Sequence, residues 1–166
     1  MSNAKLPSTV RKSKGDDLVA SGNQDYVTMT IADQMFGIPV LQVQDVLGHQ
    51  RITRIPLAPP EVAGSLNLRG RIVTAIDVRL RLGLPGRSKE KPGMSIVVDL
   101  RGELYSLMVD SVGEVLSLTN EDFERNPATL DPRWREVSTG IYRLNGQLMV
   151  VLDVPRLLNF TTVETA

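Results

Sequence analysis

The chain has 166 residues, 42% hydrophobic and 23% charged, with 19 basic and 19 acidic side chains and a formal net charge of zero. That is an ordinary globular composition, enough for one domain or for two small ones sharing an interface, and a zero balance argues against a large phosphate-binding surface. The absence of cysteine excludes disulfides and thiolate metal sites. The apolar run Leu148 to Leu152 is far too short to span a bilayer. No secretory signal pattern opens the chain, so a cytoplasmic, soluble protein is expected.

Residues 1–24 are polar, carry Lys5, Arg11, Lys12 and Lys14, and show no periodicity, which predicts a disordered tail. From Tyr26 the pattern is β. Val27, Met29 and Ile31 alternate with Thr28 and Thr30, Ala32-Asp33-Gln34 makes a hairpin loop, and Phe36, Ile38 and Val40 resume the alternation. Pro39 lacks a donor and predicts an edge position or a bulge. Val43 to Leu47 closes the block. The next stretch, Gly64 to Leu82, reads as a strand, the tight turn Asn67-Leu68-Arg69-Gly70, and a buried strand ending on Asp77-Val78.

After a Pro/Gly/charge-rich connection over 85–93, both blocks return. Phe36 aligns with Tyr105, Ile38 with Leu107 and Val40 with Val109; Val43, Asp45, Val46 and Leu47 align with Val112, Glu114, Val115 and Leu116, without gaps. Later, Gly64 matches Gly140, Leu68 matches Leu144, Gly70 matches Gly146 and Asp77 matches Asp153. Two blocks repeated in order mark an internal duplication, with halves at about 25–84 and 94–158. Each half has five short β-prone runs, most simply a small closed barrel, so the fold class is all-β with two five-stranded barrels in tandem. One such barrel is marginal alone; two packed together, exchanging a terminal strand, do better. Short helical turns are expected at Pro59 to Ala63, Thr119 to Phe123 and Pro155 to Leu158. Val40, Ile72, Ile76, Val109, Val150 and Leu152 are expected in the core.

The search for chemistry is mostly negative. His49 is the only histidine and has no acid and nucleophile at a recognisable spacing. Asp77 and Asp153 stand at equivalent strand ends, which suits carboxylates accepting turn amides better than a catalytic pair. Leu68-Arg69-Gly70-Arg71 lacks the phosphate-loop glycine pattern, and no helix follows it. Aromatic residues make up 4% of the chain and are not interleaved with basic ones, against a nucleic-acid groove. No enzyme, cofactor or metal is expected. A protein-binding scaffold fits better. Only the first copy places an arginine before the second glycine of the hairpin. Arg69 is either a turn residue in water or a rigid fork of five donors for a partner's carboxylates and carbonyls.

Phe36-Gly37-Ile38, Val43-Gln44-Asp45-Val46, Ile52-Thr53-Arg54-Ile55-Pro56, Ala58-Pro59-Pro60, Gly64, Asn67-Leu68-Arg69-Gly70 through Asp77-Val78-Arg79, Val109-Asp110-Ser111-Val112 and Leu152-Asp153 carry a resemblance. In this order they resemble the CheW-type chemotaxis coupling proteins, over residues 25–159. The resemblance implies two five-stranded SH3-like barrels around a hydrophobic core. It also implies a non-enzymatic adaptor between chemoreceptor cytoplasmic tips and a histidine kinase whose regulatory domain has the same fold, recruited to membrane-associated receptor arrays without inserting into the membrane. By the same resemblance Arg69 matches the family's signature arginine, and Val43, Gly64, Asn67, Leu68 and Gly70 accompany it on the receptor side. Asp45, Leu47, Glu124, Thr129 and Leu130 fall on the kinase side. Two positions depart from the family: Asp45 stands where glutamate is usual, and Glu124 with Thr129 or Leu130 replaces an arginine and an aromatic in the loop that helps close kinase–coupler rings. Two other classes fit the residues: a free-standing relative of the kinase regulatory domain, and a small-barrel nucleic-acid-binding module.

Overall fold

The computed structural model describes residues 22–86 and 92–159. The basic cluster of the N-terminal tail, the centre of the 85–93 connection and the tail from 160 onward lie outside them. Among the described residues, ten strands form two five-stranded sheets, which makes the protein mostly β. In chain order they are β1 (Asn23–Ile31), β2 (Gln34–Pro39), β3 (Val43–Leu47), β4 (Val62–Leu68), β5 (Arg71–Asp77), β6 (Met94–Leu100), β7 (Glu103–Val109), β8 (Ser111–Thr119), β9 (Ser138–Leu144) and β10 (Gln147–Leu152). Among the described residues, three short helices, α1 (Val78–Arg81), α2 (Pro132–Glu136) and α3 (Val154–Leu157), sit at strand ends.

Four hairpins turn on two central residues in the left-handed region: Ala32-Asp33, Arg69-Gly70, Arg101-Gly102 and Asn145-Gly146. This turn matches the right-handed twist of its strands and fixes their register. At two of them a side chain three residues before the glycine takes its amide: Asn67 Oδ1 accepts from Gly70 N and Asp99 Oδ1 from Gly102 N, each at 2.9 Å.

The first sheet runs β9-β10-β2-β1-β8 and the second β4-β5-β7-β6-β3. The orders are equivalent strand for strand, and the registers agree. Val150 pairs with Phe36 across the parallel β10–β2 contact, and Thr74 with Tyr105 across the parallel β5–β7 contact. Both are the pairing required by aligning Phe36 with Tyr105 and Gly70 with Gly146. Each sheet has a register shift at the matched glycine, Val62/Gly64 and Ser138/Gly140. Each then closes into a barrel through a matched bridge: Thr53 with Ser65, exchanging N–H···O bonds at 2.8 Å, and Glu124 with Ile141 at 2.9 Å.

The sheets do not follow the contiguous halves. β1 and β2 complete a barrel with β8, β9 and β10, and β6 and β7 complete one with β3, β4 and β5. A whole hairpin is exchanged rather than a terminal strand. Each N-terminal hairpin takes its parallel neighbour from the other half, the long connection that a parallel pair requires being supplied by the chain between the halves. Pro39 is accordingly not at a sheet edge. It is the last residue of the inner strand β2, opposite Tyr26 and past the last parallel pair at Gly37, where no ladder donor is required. The ladder begins at Asn23, opposite Thr119, so residues 23 and 24 belong to β1 rather than to a tail.

The largest core lies between the barrels. Val27, Met29, Ile31, Phe36 and Ile38 from one sheet meet Ile76, Ile96, Val98, Leu107 and Val109 from the other. Smaller clusters fill each barrel: Leu66, Val73, Ala75, Val97 and Leu104 in one, Tyr26, Tyr142, Met149 and Val151 in the other. β1 is therefore buried on both faces, and Thr28 is buried with its hydroxyl on Glu114 O at 2.6 Å. Tyr142 stacks edge-on with Tyr26 and Phe123, each at 5.4 Å, and burial raises its phenol pKa. Of the expected core residues, Ile76, Val109, Val150 and Leu152 are buried, Val40 is half-buried, and Ile72 is 68% exposed. Ile72 shares the outer face of β5 with Ile76, but only Ile76 is covered by the other barrel.

Asp77 and Asp153 cap α1 and α3, accepting from Leu80 N at 3.2 Å and Arg156 N at 3.0 Å, the amide-accepting role read from their equivalent places. Thr119 caps the 3-10 turn Asn120–Asp122 as expected. Pro59 to Val62 makes the expected single turn, with Val62 N bonding Pro59 O at 2.9 Å, and the chain then enters β4 at Val62 rather than continuing as a helix. Ile76→Ala should lower stability by about 2–5 kcal/mol, whereas Ile72→Ala should stay within about 0.5 kcal/mol; urea midpoints of the two variants check the difference.

Candidate functional site

The β4–β5 hairpin carries the candidate site. Arg69 sits at the first central position of its turn with φ 53°, a backbone conformation that ordinary side chains adopt at some cost. The following Gly70 (φ 85°) and the Asn67 carboxamide hold the turn, so Arg69 is presented by a stiff support. Its side chain is 78% exposed and reaches back across the barrel seam, Nη1 lying 3.1 Å from Asp45 Oδ2 on β3. Asp45 is more enclosed, at 27% exposed, and its Oδ1 also accepts from Val46 N at 2.9 Å. The two residues meet because the Thr53–Ser65 bridge brings the chain leaving β3 against β4. An exposed pair of this kind contributes about 0.2–1 kcal/mol, too little to hold the fold and little enough for a partner to replace.

The remaining expected residues divide by position. Asn67 and Gly70 are exposed beside Arg69; Leu68 and Leu47 are half-buried against the core of that barrel, and Val43 against the core between the barrels. Gly64 is buried. A Cβ there would run into Thr53 O and Ile52, so its small size serves the barrel closure. Asp45 and Leu47 come together with the Arg69 turn. Glu124, Thr129 and Leu130 lie on the other barrel. Glu124 pairs with Arg143 at 3.0 Å and makes the closing bridge, Thr129 is exposed, and Leu130 packs on the core.

Sequence reasoning missed the apolar companions of the turn. Ile72, opposite Asn67 in the hairpin, and Val46, next to Asp45, are both exposed. The alternation of Ile72 looked like core, and only the position of the neighbouring barrel distinguishes it. It also missed the joint behind the site. Arg79 on α1 grips Asp110 with two 2.9 Å bonds, Asp110 accepts Ala32 N at 2.8 Å, and Arg79 donates to Pro85 O at 3.1 Å. The bond to Asp110 pushes the Arg79 guanidinium up from its ordinary pKa, so the arginine side of this link between the barrels stays charged. Among the described residues no cluster of histidine and acids has metal-site grouping, and no helix is long and apolar enough to cross a membrane.

The comparisons agree with the duplicated barrels. Residues 25–161 match the family model described as the CheW-like domain. The chain is 31% identical over 151 residues to "Chemotaxis protein CheW" of Klebsiella aerogenes, covering 91% of this chain and 89% of that one. It is 27% identical over 133 residues to the protein of the same name in Helicobacter pylori, covering 80% of each. Among solved structures, scaffolding protein TtCheW from Thermoanaerobacter tengcongensis superposes with a TM-score of 0.70 at 29% identity, covering 78% of this chain and 88% of that one. The chain belongs to the CheW-like family.

Two outcomes follow from the site geometry. A double-mutant cycle over Asp45→Ala and Arg69→Ala, read by urea denaturation, should give a coupling of about 0.2–1 kcal/mol that shrinks as salt is raised. Gly64→Ala should destabilise by about 1–3 kcal/mol through overpacking of the seam, seen as a lowered melting temperature.

Proposed function

We propose that this chain is a non-enzymatic chemotaxis adaptor that couples the cytoplasmic tips of chemoreceptors to a histidine kinase within membrane-associated signalling arrays. Membership of the CheW-like family supports the adaptor role, as do relatives named as chemotaxis and scaffolding proteins. The observation that carries the receptor assignment is Arg69: a guanidinium 78% exposed on a rigid turn, before the second glycine of the hairpin, where the second copy has Asn145. Its fork suits backbone carbonyls and carboxylates of a helical tip, with exposed Ile72 alongside for apolar contact.

In this reading Arg69, Asn67, Leu68 and Gly70 face the receptor, with Val43 and Gly64 shaping the surface from beneath. Asp45 and Leu47 on β3, and Glu124, Thr129 and Leu130 on the other barrel, face the kinase regulatory domain. The Asp45–Arg69 ion pair then joins a kinase-side residue to a receptor-side one, so a partner that recruits either group alters what is offered to the other.

Arg69→Glu should weaken binding to a soluble receptor fragment by about 2 kcal/mol or more, as truncation of a central arginine does at many interfaces. Its melting temperature should scarcely change. Asn145→Glu, at the same place in the second copy, should bind normally. Titration calorimetry with melting curves on both variants separates the cases. Unchanged affinity in Arg69→Glu, or a collapse of its melting temperature, would remove the proposed role. Retention on heparin at low salt with release by salt would favour a phosphate-binding module instead.

A further inference from the structure

The two copies also differ at the end of each barrel where an aromatic ring is covered. In the first, Trp134 of α2 lies edge-on to Phe36 with ring centroids 5.3 Å apart, and its indole N–H donates to Leu82 O at 3.1 Å. Phe36 is fully buried beneath it. The same helix lays Arg133 against Gly83, where a Cβ would meet the guanidinium. Under the duplication, Phe36, Leu82 and Gly83 correspond to Tyr105, Leu158 and Asn159, while Trp134 and Arg133 correspond to Ala58 and Leu57. The second copy thus has the aromatic floor and the helix end but not the indole that covers them. Leu57 is fully exposed, and among the described residues no aromatic ring stacks on the half-buried Tyr105.

At that position lies a groove of about 440 Å³, lined by Leu100, Arg101, Glu103, Tyr105, Arg156 and Asn159 among others. The volume is within the usual range for a bound organic group. Two guanidinium groups and one carboxylate face it, so its rim is net positive. Glu103 accepts the Tyr105 hydroxyl at 3.0 Å, and Arg156 pairs with Asp153 at 3.3 Å. Arg101, exposed on the β6–β7 turn, is the cation most available to a ligand.

We propose that this groove binds an indole side chain of a partner protein carried beside a carboxylate. The indole takes the place on Tyr105 that Trp134 takes on Phe36, and the carboxylate faces Arg101. The occupant is inferred from what fills the matched site and from the positive rim; edge-on aromatic contact and a nearby guanidinium both favour a ring there. The site lies outside the residues assigned above to receptor and kinase, so it stands or falls separately from that assignment.

The test is an NMR titration of the ¹⁵N-labelled full chain with indole-3-acetate and, in parallel, with neutral indole-3-acetamide. Both should give saturable shifts at the amides of Tyr105, Arg101 and Asn159, with the acetate binding more tightly. Arg101→Glu, on an exposed turn, should keep a folded spectrum and abolish the acetate's advantage. Tyr105→Ala should weaken both probes about fivefold or more. Absence of saturable shifts in the unmodified chain, shifts centred elsewhere, or equal affinity for acid and amide would overturn the proposal.

Discussion

The parallel contacts of β2 with β10 and of β7 with β5 are the constraint on which the rest of the structure depends. A parallel neighbour needs a long connection rather than a tight turn, and here each N-terminal hairpin finds its parallel neighbour in the strands of the opposite half. Neither sheet is complete without both halves. The exchange also places the apolar outer faces of β1, β2, β6 and β7 against one another, and the largest core forms there rather than inside either barrel. Directed bonds fasten the same junction: Arg79 on Asp110, Arg81 on Leu157 O at 2.7 Å, and the Trp134 indole on Leu82 O. A barrel of about 60 residues buries too little surface to be robust alone, and the exchange is how two of them become one stable body.

Duplication then divides the work. Features identical in both copies are structural: the capping aspartates at 77 and 153, the bulge glycines at 64 and 140, and the closing bridges. Features that differ are free to recognise something. Arg69 against Asn145 and Asp45 against Glu114 lie at surfaces where the fold does not require a particular residue, and where Trp134 covers Phe36 in one copy, Ala58 leaves Tyr105 without an indole in the other. The Asp45–Arg69 pair is exposed enough to contribute little to stability, yet it fixes where the guanidinium points before a partner arrives.

Much of this was legible in the sequence because the physics involved is local. Period-two alternation located the strands, turn chemistry at Arg69-Gly70 and Asn145-Gly146 located the hairpins, and gapless alignment of the halves located the duplication. The hairpin exchange was not legible, since pairing between residues more than a hundred apart, such as Phe36 with Val150, leaves no local mark. The same limit explains Ile72: it shares a face with Ile76, and only the other barrel decides which is covered. The signal for α2 was present in Asp131-Pro132, a cap followed by proline at the helix start, whereas α1 offers no proline and only its match to α3 could have located it. Arg69 was legible as a difference between copies; its contact with Asp45 across the seam was not.

Because each barrel is completed by the other half, the two must unfold together. Native-state hydrogen exchange tests this most directly by comparing β5 amides in one sheet with β10 amides in the other. The exchanged architecture predicts one shared opening free energy, equal to that of global unfolding. A sheet whose amides open at markedly lower free energy while the other stays protected would show two independent barrels and contradict it.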